Sequence, residues 1–354
     1  LANGISGLAN RIEELGMKFG LWIEPEMVNK DSDLYRKHPD WILQTPGRRV
    51  SHGRYQYVLD FSRQEIVDYI YGMIAKLLSE SNISYIKWDM NRSITECYSI
   101  AYPADQQGEI FHRYILGVYD LYERLTSAFP EVLFESCASG GGRFDPGMLY
   151  YAPQGWVSDD SDAVERLKIQ YGTSMCYPLS SMGSHVSVIP NHQVFRNTPL
   201  HTRANVAYFG TFGYELDLNK LSDAEIEEVK AQIRFMKEYR ELLQFGTFYR
   251  LKSPFNGNET VWMVVSEDKS KALVGYYRVL NGVNLPYSCV KLQGLDPDKL
   301  YENELANTEH YGDELMNLGL ITTDVSAGEV PQGAEPCTDF ESRIYLLKEK
   351  QSTN

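Results

Sequence analysis

The sequence lacks long apolar runs and clusters of basic residues, and each absence excludes a class of protein. No apolar run approaches the roughly 18 residues that a transmembrane helix needs, so we expect no membrane partner. No secretory signal pattern is visible either. The net charge is −14, and Lys and Arg form no basic patch of the kind that binds nucleic acid. We therefore expect no nucleic-acid partner.

Paired cysteine motifs are also missing. The five cysteines are an odd number without CxxC or Cys–His spacing, at positions 97, 137, 176, 289 and 337. This spacing disfavours a disulfide framework and a zinc site and fits a reducing compartment. His185, His192 and His201 lack the HExxH spacing of a zinc protease. We expect no metal, no cofactor and a cytoplasmic location.

Aromatic residues are abundant, with 25 tyrosines and 5 tryptophans among 354 residues that are 43% hydrophobic. Aromatic clefts suit sugars, whose C–H faces stack on rings, although aromatics are also ordinary core material. The length allows one large α/β domain and a smaller one.

Short apolar strands alternate with amphipathic helices through most of the chain. The predicted strands end in polar or glycine-rich residues near positions 24, 89, 135, 158, 184 and 213, and residues 64–79 and 109–129 have helical periodicity. This rhythm predicts a (β/α)8 TIM barrel that is incomplete here, with strands 3–8 present. A doubly wound open sheet is the alternative. Ser222 and Glu225 form a capping box that starts a further helix.

The character of the sequence changes near residue 248. Short strands are predicted at residues 261–265, 271–277, 288–292 and 343–347, separated by Gly, Pro, Asn and Asp. We expect residues 1–246 to form the barrel domain, with its N-terminal part missing, and residues 247–354 to form an antiparallel β-sandwich domain.

Two groups of carboxylates follow predicted strands. Asp89 comes directly after an apolar run, with Lys87 two residues before it on the same face of the strand. A lone Asp at such a place is commonly a helix cap, but the ends of parallel strands are also where active sites form. The second group is Asp159, Asp160 and Asp162, which alternatively caps a helix or forms a calcium loop, although it lacks the calcium-loop register.

Paired carboxylates across a cleft are what glycoside hydrolysis requires. Lys87 would keep Asp89 ionised, and repulsion within the second group would raise the pKa of a proton donor there. The glycine-rich residues 139–142 could cradle a phosphate or let the backbone approach a sugar. Cys137 is by default a small buried residue.

Five ordered motifs carry a resemblance to a known family. YIKWDMNR, ESCASGGGRFDPGMLYYAP and GWVSDDSDAVERLKIQYGTS, together with FGLWIEPEMV and HGRYQYVLDFSR, resemble the glycoside hydrolase family 36 α-galactosidases that hydrolyse raffinose and melibiose. The resemblance runs from about residue 7 to residue 243, and the β-rich region matches more loosely. It implies a (β/α)8 barrel and a retaining double displacement on terminal non-reducing α-D-galactosides such as melibiose, raffinose and stachyose.

The resemblance also implies roles for individual residues. Asp89 would be the nucleophile and Asp159 the acid/base. The substrate-binding residues would be Trp22, Arg54, Lys87, Trp88, Asn91, Cys137 and Ser139. Many relatives carry glycine at the position of Ser139. The full-length family members are homo-oligomers, commonly tetramers.

One departure from the family is large. Family members have an N-terminal β-sandwich and two earlier barrel strands. The second of those two strands ends in an acidic pair that recognises galactose hydroxyls. That region has no counterpart in these 354 residues. The alternatives to an α-galactosidase are therefore an inactive fragment and a related galactosyl transferase of raffinose or stachyose synthesis.

Overall fold

The computed structural model describes residues 4–283, 288–322 and 339–351. The chain forms two compact units, Leu1–Asp159 and Asp160–Asn354. The elements of the first unit are α1 (Gly4–Glu14), β1 (Gly20–Ile23), β2 (Met27–Asn29), α2 (Asp33–Lys37), β3 (Gln56–Val58), α3 (Gln64–Glu80), β4 (Tyr85–Trp88), α4 (Ile110–Ala128), β5 (Leu133–Ser136), α5 (Pro146–Tyr151) and β6 (Gln154–Trp156).

A parallel sheet organises the first unit. Its strands follow one another in chain order, β1-β4-β5-β6, and all four point the same way. Trp22, Lys87, Glu135 and Gln154 are register partners and form one row across the sheet. The order of these four strands never reverses, as it must at the switch point of a doubly wound sheet.

Helices α3 and α4 cover this sheet because each buries one apolar stripe. Buried positions on α3 recur at helical spacing, from Ile66 and Val67 through Ile70 and Ile74 to Leu78. On α4, Gly117 allows close packing, since a Cβ there would lie 1.9 Å from the carbonyl oxygen of Phe61. Both predicted helices are confirmed to within two residues.

The second unit continues the alternation and then turns to antiparallel structure. Its elements are α6 (Ala163–Thr173), β7 (Met182–Ser187), α7 (Leu200–Ala207), β8 (Thr211–Glu215), α8 (Asp223–Phe245), β9 (Thr247–Lys252), β10 (Glu259–Val265), β11 (Lys271–Arg278), β12 (Cys289–Val290), β13 (Leu300–Asn303), β14 (Thr308–Tyr311), α9 (Gly312–Asn317), β15 (Leu320–Ile321) and β16 (Glu341–Glu349). β7 and β8 are parallel.

Among the described residues, six strands form parallel pairs, four in the first unit and two in the second. The predicted six repeats of an incomplete (β/α) barrel are therefore confirmed. The predicted capping box is confirmed as well, because Ser222 Oγ accepts from the Glu225 amide and starts α8. Helix α7 was not predicted, since its buried residues lie all around it and leave no amphipathic pattern.

The antiparallel sheet has the order β14-β13-β16-β11-β10-β9, and β12 and β15 form a separate two-stranded sheet. Val290 and Leu320 of the small sheet share a core with Val261, Met263 and Val274 of the large one, so the two sheets form the two layers of the predicted sandwich. β9, β13, β14 and β15 were not predicted, because they are short and their polar residues hide the alternation. The predicted boundary between residues 246 and 247 stays a prediction.

No helix in the part of the chain that the structure describes is long and apolar enough to span a membrane.

Candidate active site

The carboxyl ends of β1, β4, β5 and β6 meet at one edge of the first unit's sheet, because parallel strands end on the same side. Glu24 follows β1 directly, Asp89 follows β4, Cys137 follows β5, and Asp159 lies three residues after β6. The sequence therefore brings its two predicted catalytic carboxylates to one edge, two strands apart.

Asp89 is only 6% exposed, and hydrogen-bond donors hold both of its oxygens. Oδ2 accepts from Trp22 Nε1 at 3.1 Å and from Asn91 Nδ2 at 2.5 Å, and Oδ1 accepts from the Met90 amide at 2.9 Å. The chain then continues as a loop to residue 103, so no helix begins at Asp89 for it to cap. The alternative interpretation of Asp89 as a helix cap is wrong.

The thiol of Cys137 lies beside Asp89 and is 2% exposed. Burial, followed by the negative charge of Asp89 and a hydrogen bond with that carboxylate, raises the pKa of the Cys137 thiol. The thiol therefore stays protonated and acts as a donor to Asp89 rather than as a nucleophile.

Glu24 connects several predicted site residues, although the sequence did not single it out. Its Oε1 accepts from Arg54 Nη1 and from Asn91 Nδ2, both at 2.7 Å, and its Oε2 accepts from Gln56 Nε2 at 2.9 Å. Asn91 thus bridges Glu24 and Asp89. The available signal was position, since Glu24 is the first residue after β1, as Asp89 is after β4.

Arg54 reaches this site from a tight turn between Gly53 and Gln56. The Gln56 amide donates to the Gly53 carbonyl at 2.8 Å, and Arg54 and Tyr55 both have left-handed backbone angles, with φ of 51° and 61°. Two such residues without glycine cost conformational energy, which is a recurring property of functional sites. The turn directs the Arg54 guanidinium to Glu24.

Lys87 forms an ion pair with Glu135, which was not predicted from the sequence as a site residue. Its Nζ lies 2.9 Å from Glu135 Oε1 and 4.5 Å from the centre of the Trp156 ring. Glu135 is buried, and its other oxygen accepts from Tyr85 and from Gln154 Nε2. The adjacent register of β4 and β5 explains the ion pair, since Lys87 and Glu135 are direct neighbours in the sheet.

The glycine-rich residues after β5 allow their loop to lie directly against the backbone that follows β6. A Cβ on Gly140 would lie 2.6 Å from the Asp159 amide nitrogen, and one on Gly141 would lie 2.4 Å from the Val157 carbonyl oxygen. Ser139 and Gly140 both have left-handed backbone angles, with φ of 49° and 79°, a conformation that glycine adopts without strain. Ser139 Oγ donates to Asn91 Oδ1 at 3.2 Å.

The acidic residues after β6 divide into different environments. Asp159 is exposed, whereas Asp162 is buried and caps α6 by accepting from the amides of Val164 and Glu165 at 3.0 and 3.1 Å. Asp162 also forms an ion pair with Arg196. The helix-cap interpretation is therefore correct for Asp162, and Arg196 already balances its charge. Among the described residues, no cluster of three or more His, Cys, Asp or Glu is placed to hold a metal.

The structure contradicts the prediction that Trp88 binds substrate. Trp88 is fully buried, its ring stacks on Tyr122 at 4.1 Å, and its Nε1 donates to Glu26 Oε1 at 2.8 Å. The pleat of β4 explains this position, because Trp88 points to the opposite face from Lys87. Trp22, by contrast, is 45% exposed.

A buried ion pair lies beneath these residues and was not anticipated. Arg143 donates from Nη2 to Glu26 Oε1 at 2.8 Å and from Nη1 to Oε2 at 2.9 Å, and Tyr114 donates to Oε2 at 2.5 Å. Burial by itself raises the pKa of Glu26, but the charge and hydrogen bonds of Arg143 and the hydrogen bonds from Tyr114 and Trp88 outweigh it. The pKa of Glu26 therefore lies below its ordinary value.

Known proteins match the chain throughout. It is 57% identical over 351 residues to the α-galactosidase AgaA of Geobacillus stearothermophilus, covering 99% of this chain and 46% of that protein. A crystal structure of an AgaA variant with raffinose superposes with a TM-score of 0.94 at 52% identity, covering 99% of this chain and 47% of that chain. A further AgaA variant, with stachyose, gives 0.94 at 53% identity with the same coverage. The chain spans about half the length of these relatives.

Family models cover both parts of the sequence. The melibiase model matches residues 1–246, and the model of the glycosyl hydrolase family 36 C-terminal domain matches residues 259–347. The structural match also confirms the predicted fold class of an incomplete (β/α)8 barrel followed by an antiparallel domain. The chain therefore belongs to the melibiase family, glycoside hydrolase family 36.

Proposed function

We propose that the protein is a retaining α-galactosidase that hydrolyses terminal non-reducing α-D-galactosides such as melibiose, raffinose and stachyose. The observation that carries the proposal is the setting of Asp89, a buried carboxylate at a strand end whose two oxygens are held by Trp22, Asn91 and Met90. Relatives crystallised with raffinose and stachyose support this substrate class.

In the first step, Asp89 attacks the anomeric carbon of galactose while Asp159 donates its proton to the glycosidic oxygen. The bond from the anomeric carbon to that oxygen breaks, the sugar alcohol leaves, and galactose remains bound to Asp89 as an ester. Donors on both oxygens of Asp89 keep the carboxylate from rotating away from the attack position.

In the second step, Asp159, now ionised, takes a proton from water. The resulting hydroxide attacks the anomeric carbon, the ester bond to Asp89 breaks, and α-galactose is released. Two inversions give net retention. The exposure of Asp159 suits this exchange of protons with the leaving group and with water.

The remaining predicted residues would bind galactose hydroxyls. An ammonium has three N–H donors, so Lys87 can hold Glu135 and a hydroxyl at the same time. Trp22 offers an exposed ring beside Asp89 on which a sugar face can stack. Arg54, Asn91, Cys137 and Ser139 complete the proposed binding residues.

The direct test is hydrolysis of p-nitrophenyl α-galactoside by this chain, with Asp89→Ala as the control. We expect release of p-nitrophenol by the parent and none by the variant. Proton NMR of the first product should show α-galactose. No release by the parent, with Asp89→Ala indistinguishable from it, would mean that the chain is an inactive fragment.

Natural substrates test the second alternative. With concentrated raffinose as both donor and acceptor, an α-galactosidase releases mainly galactose and sucrose, whereas a galactosyl transferase moves galactose onto a second raffinose and forms a tetrasaccharide and sucrose. The ratio of free galactose to transfer product, measured by chromatography, separates the two activities.

We also propose a cytoplasmic location and a homo-oligomeric full-length protein. Cys97, Cys137, Cys176 and Cys289, the cysteines that the structure describes, are free thiols, which supports a reducing compartment. Only the family resemblance supports the oligomer, and sedimentation of the full-length protein would test it.

A further inference from the structure

The loop of residues 137–143, between β5 and α5, touches the surroundings of both proposed catalytic carboxylates. At its start, the Cys137 amide donates to the Trp88 carbonyl at 2.8 Å, and the Cys137 carbonyl accepts from the Met90 amide at 3.1 Å. These bonds hold the loop on both sides of Asp89. In its middle, Gly140 and Gly141 lie against the backbone from Val157 to Asp159.

The far end of the loop is fixed by the ion pair of Arg143 with Glu26. The guanidinium meets both carboxylate oxygens in a two-pronged arrangement, at 2.8 and 2.9 Å, which is the most directional geometry available to this pair. Glu26 has no exposed surface, and Trp88 and Tyr114 provide further donors to it. A fully buried carboxylate with four donors is a rigid attachment point.

The loop between these two ends is tight. The Ala138 amide donates to the Gly140 carbonyl at 2.9 Å, and a Cβ on Gly142 would lie 2.6 Å from the Ala138 carbonyl oxygen. Ser139 and Gly140 have left-handed backbone angles. Because these contacts leave the loop little conformational freedom, a movement of Arg143 displaces Gly140. The Asp159 backbone, which lies against Gly140, then moves as well.

Asp89 also has anchors outside this loop. Its amide donates to the Ile23 carbonyl on β1 at 2.9 Å, and its side chain accepts from Trp22 and Asn91 as well as from the Cys137 thiol of the loop. Asp159 is exposed, and the loop lies against its backbone. Loss of the attachment point therefore affects the two carboxylates unequally.

We propose that the Glu26–Arg143 pair is a positioning device that fixes the acid/base Asp159 relative to the nucleophile Asp89 by holding the 137–143 loop. This role rests on the proposed function, because that function assigns the two carboxylates. Neither Glu26 nor Arg143 touches substrate in this role.

The test uses the double variant Glu26→Gln with Arg143→Met, which removes both charges and leaves no unpaired charge buried. Two substrates separate the carboxylates. Melibiose needs its leaving group protonated, whereas 2,4-dinitrophenyl α-galactoside has a leaving group that departs without a proton. We expect kcat/KM for melibiose to fall about 100-fold, the scale of a misplaced catalytic group, and kcat/KM for the dinitrophenyl substrate to fall far less.

A matched control removes a buried ion pair elsewhere. Arg278 pairs with Glu341 in the antiparallel sheet, and both are largely buried. The variant Arg278→Met with Glu341→Gln should keep the parent ratio of the two kcat/KM values. An equal loss on both substrates in the Glu26–Arg143 variant would overturn the proposal, because it would indicate general damage to the fold.

A second measurement does not depend on activity. Alkylation of the folded protein by iodoacetamide, followed by peptide mass spectrometry, reports access to each thiol. In the parent, the exposed Cys176 should react and the buried Cys137 should not. In the Glu26–Arg143 variant, we expect Cys137 to react about tenfold faster or more, through local opening of its loop, while circular dichroism shows the chain still folded.

The two measurements distinguish failure of the positioning proposal from failure of the proposed function. If Cys137 remains as protected as in the parent and in the Arg278–Glu341 control, the loop is held without the ion pair and the proposal is wrong. If the parent hydrolyses neither galactoside, the proposed function is wrong for this chain, and Cys137 protection still decides whether the pair fixes the loop.

Discussion

The two proposed catalytic carboxylates occupy the same sheet edge but differ in burial. Asp89 is buried, and side-chain and backbone donors fix both of its oxygens. Asp159 is exposed, and its backbone lies against Gly140. A nucleophile must return to one position after each turnover, whereas an acid/base must exchange protons with a leaving group and with water. The difference in burial matches this difference in task.

The largest effect is expected from removing the buried carboxylate. Asp89→Gly should lower kcat for melibiose by on the order of 10⁴-fold, because no covalent intermediate can form. Added azide fills the space of the lost side chain and should yield β-galactosyl azide, identified by NMR. Formation of α-galactosyl azide would show that Asp89 is not the nucleophile.

Removing the exposed carboxylate should give a different pattern. Asp159→Ala should lower kcat/KM for melibiose about 10²- to 10⁴-fold, the usual contribution of general acid catalysis, and change it little for 2,4-dinitrophenyl α-galactoside. Azide should now give α-galactosyl azide, because the ester with Asp89 still forms. The opposite product stereochemistry in the two variants would reverse the assigned roles.

A smaller effect should follow from changing the backbone against which Asp159 rests. In Gly140→Ala, the new Cβ would meet the Asp159 amide at 2.6 Å, and φ of 79° disfavours alanine. We expect kcat/KM for melibiose to fall about 100-fold with a smaller loss on the dinitrophenyl substrate.

Gly72→Ala is the matched control, because Gly72 lies in α3 and nothing is within 4 Å of the position of its added Cβ. It should leave both kcat/KM values unchanged and raise the unfolding free energy by about 0.5–1 kcal/mol. If Gly140→Ala behaves like this control, contact with Gly140 does not position Asp159.

The last prediction concerns stability rather than rate. The pKa of Glu26 is lowered in the folded chain, so the unfolded chain binds more protons near the ordinary value of 4.5. The stabilisation from Glu26 is therefore present above that pH and is lost as the pH falls through the lowered value. In urea unfolding, the unfolding free energy of the parent should fall more steeply below pH 4.5 than that of the Glu26→Gln, Arg143→Met variant. Equal slopes would contradict the lowered pKa.

Local patterns were sufficient for the main elements of the barrel. Helices α3, α4 and α8 were predicted because their apolar spacing and capping residues are local features. Short strands with polar residues, such as β13 and β14, were missed because a few positions do not define an alternation. The polar ends of the parallel strands were visible in the sequence, and they indicated Asp89 and Asp159.

The sequence by itself determined the order of the motifs, the rhythm of strands and helices and the family to which these belong, because each is carried by residues close together in the chain. Only the tertiary structure decided which groups surround Asp89 and Asp159. Arg143 and Glu26 are 117 residues apart, and Arg54 and Glu24 are 30 apart. Arg143 meets Glu26 because β1 and β5 end at the same edge of the parallel sheet, and Arg54 meets Glu24 through the turn before β3, which pairs with β2. No local pattern encodes either meeting.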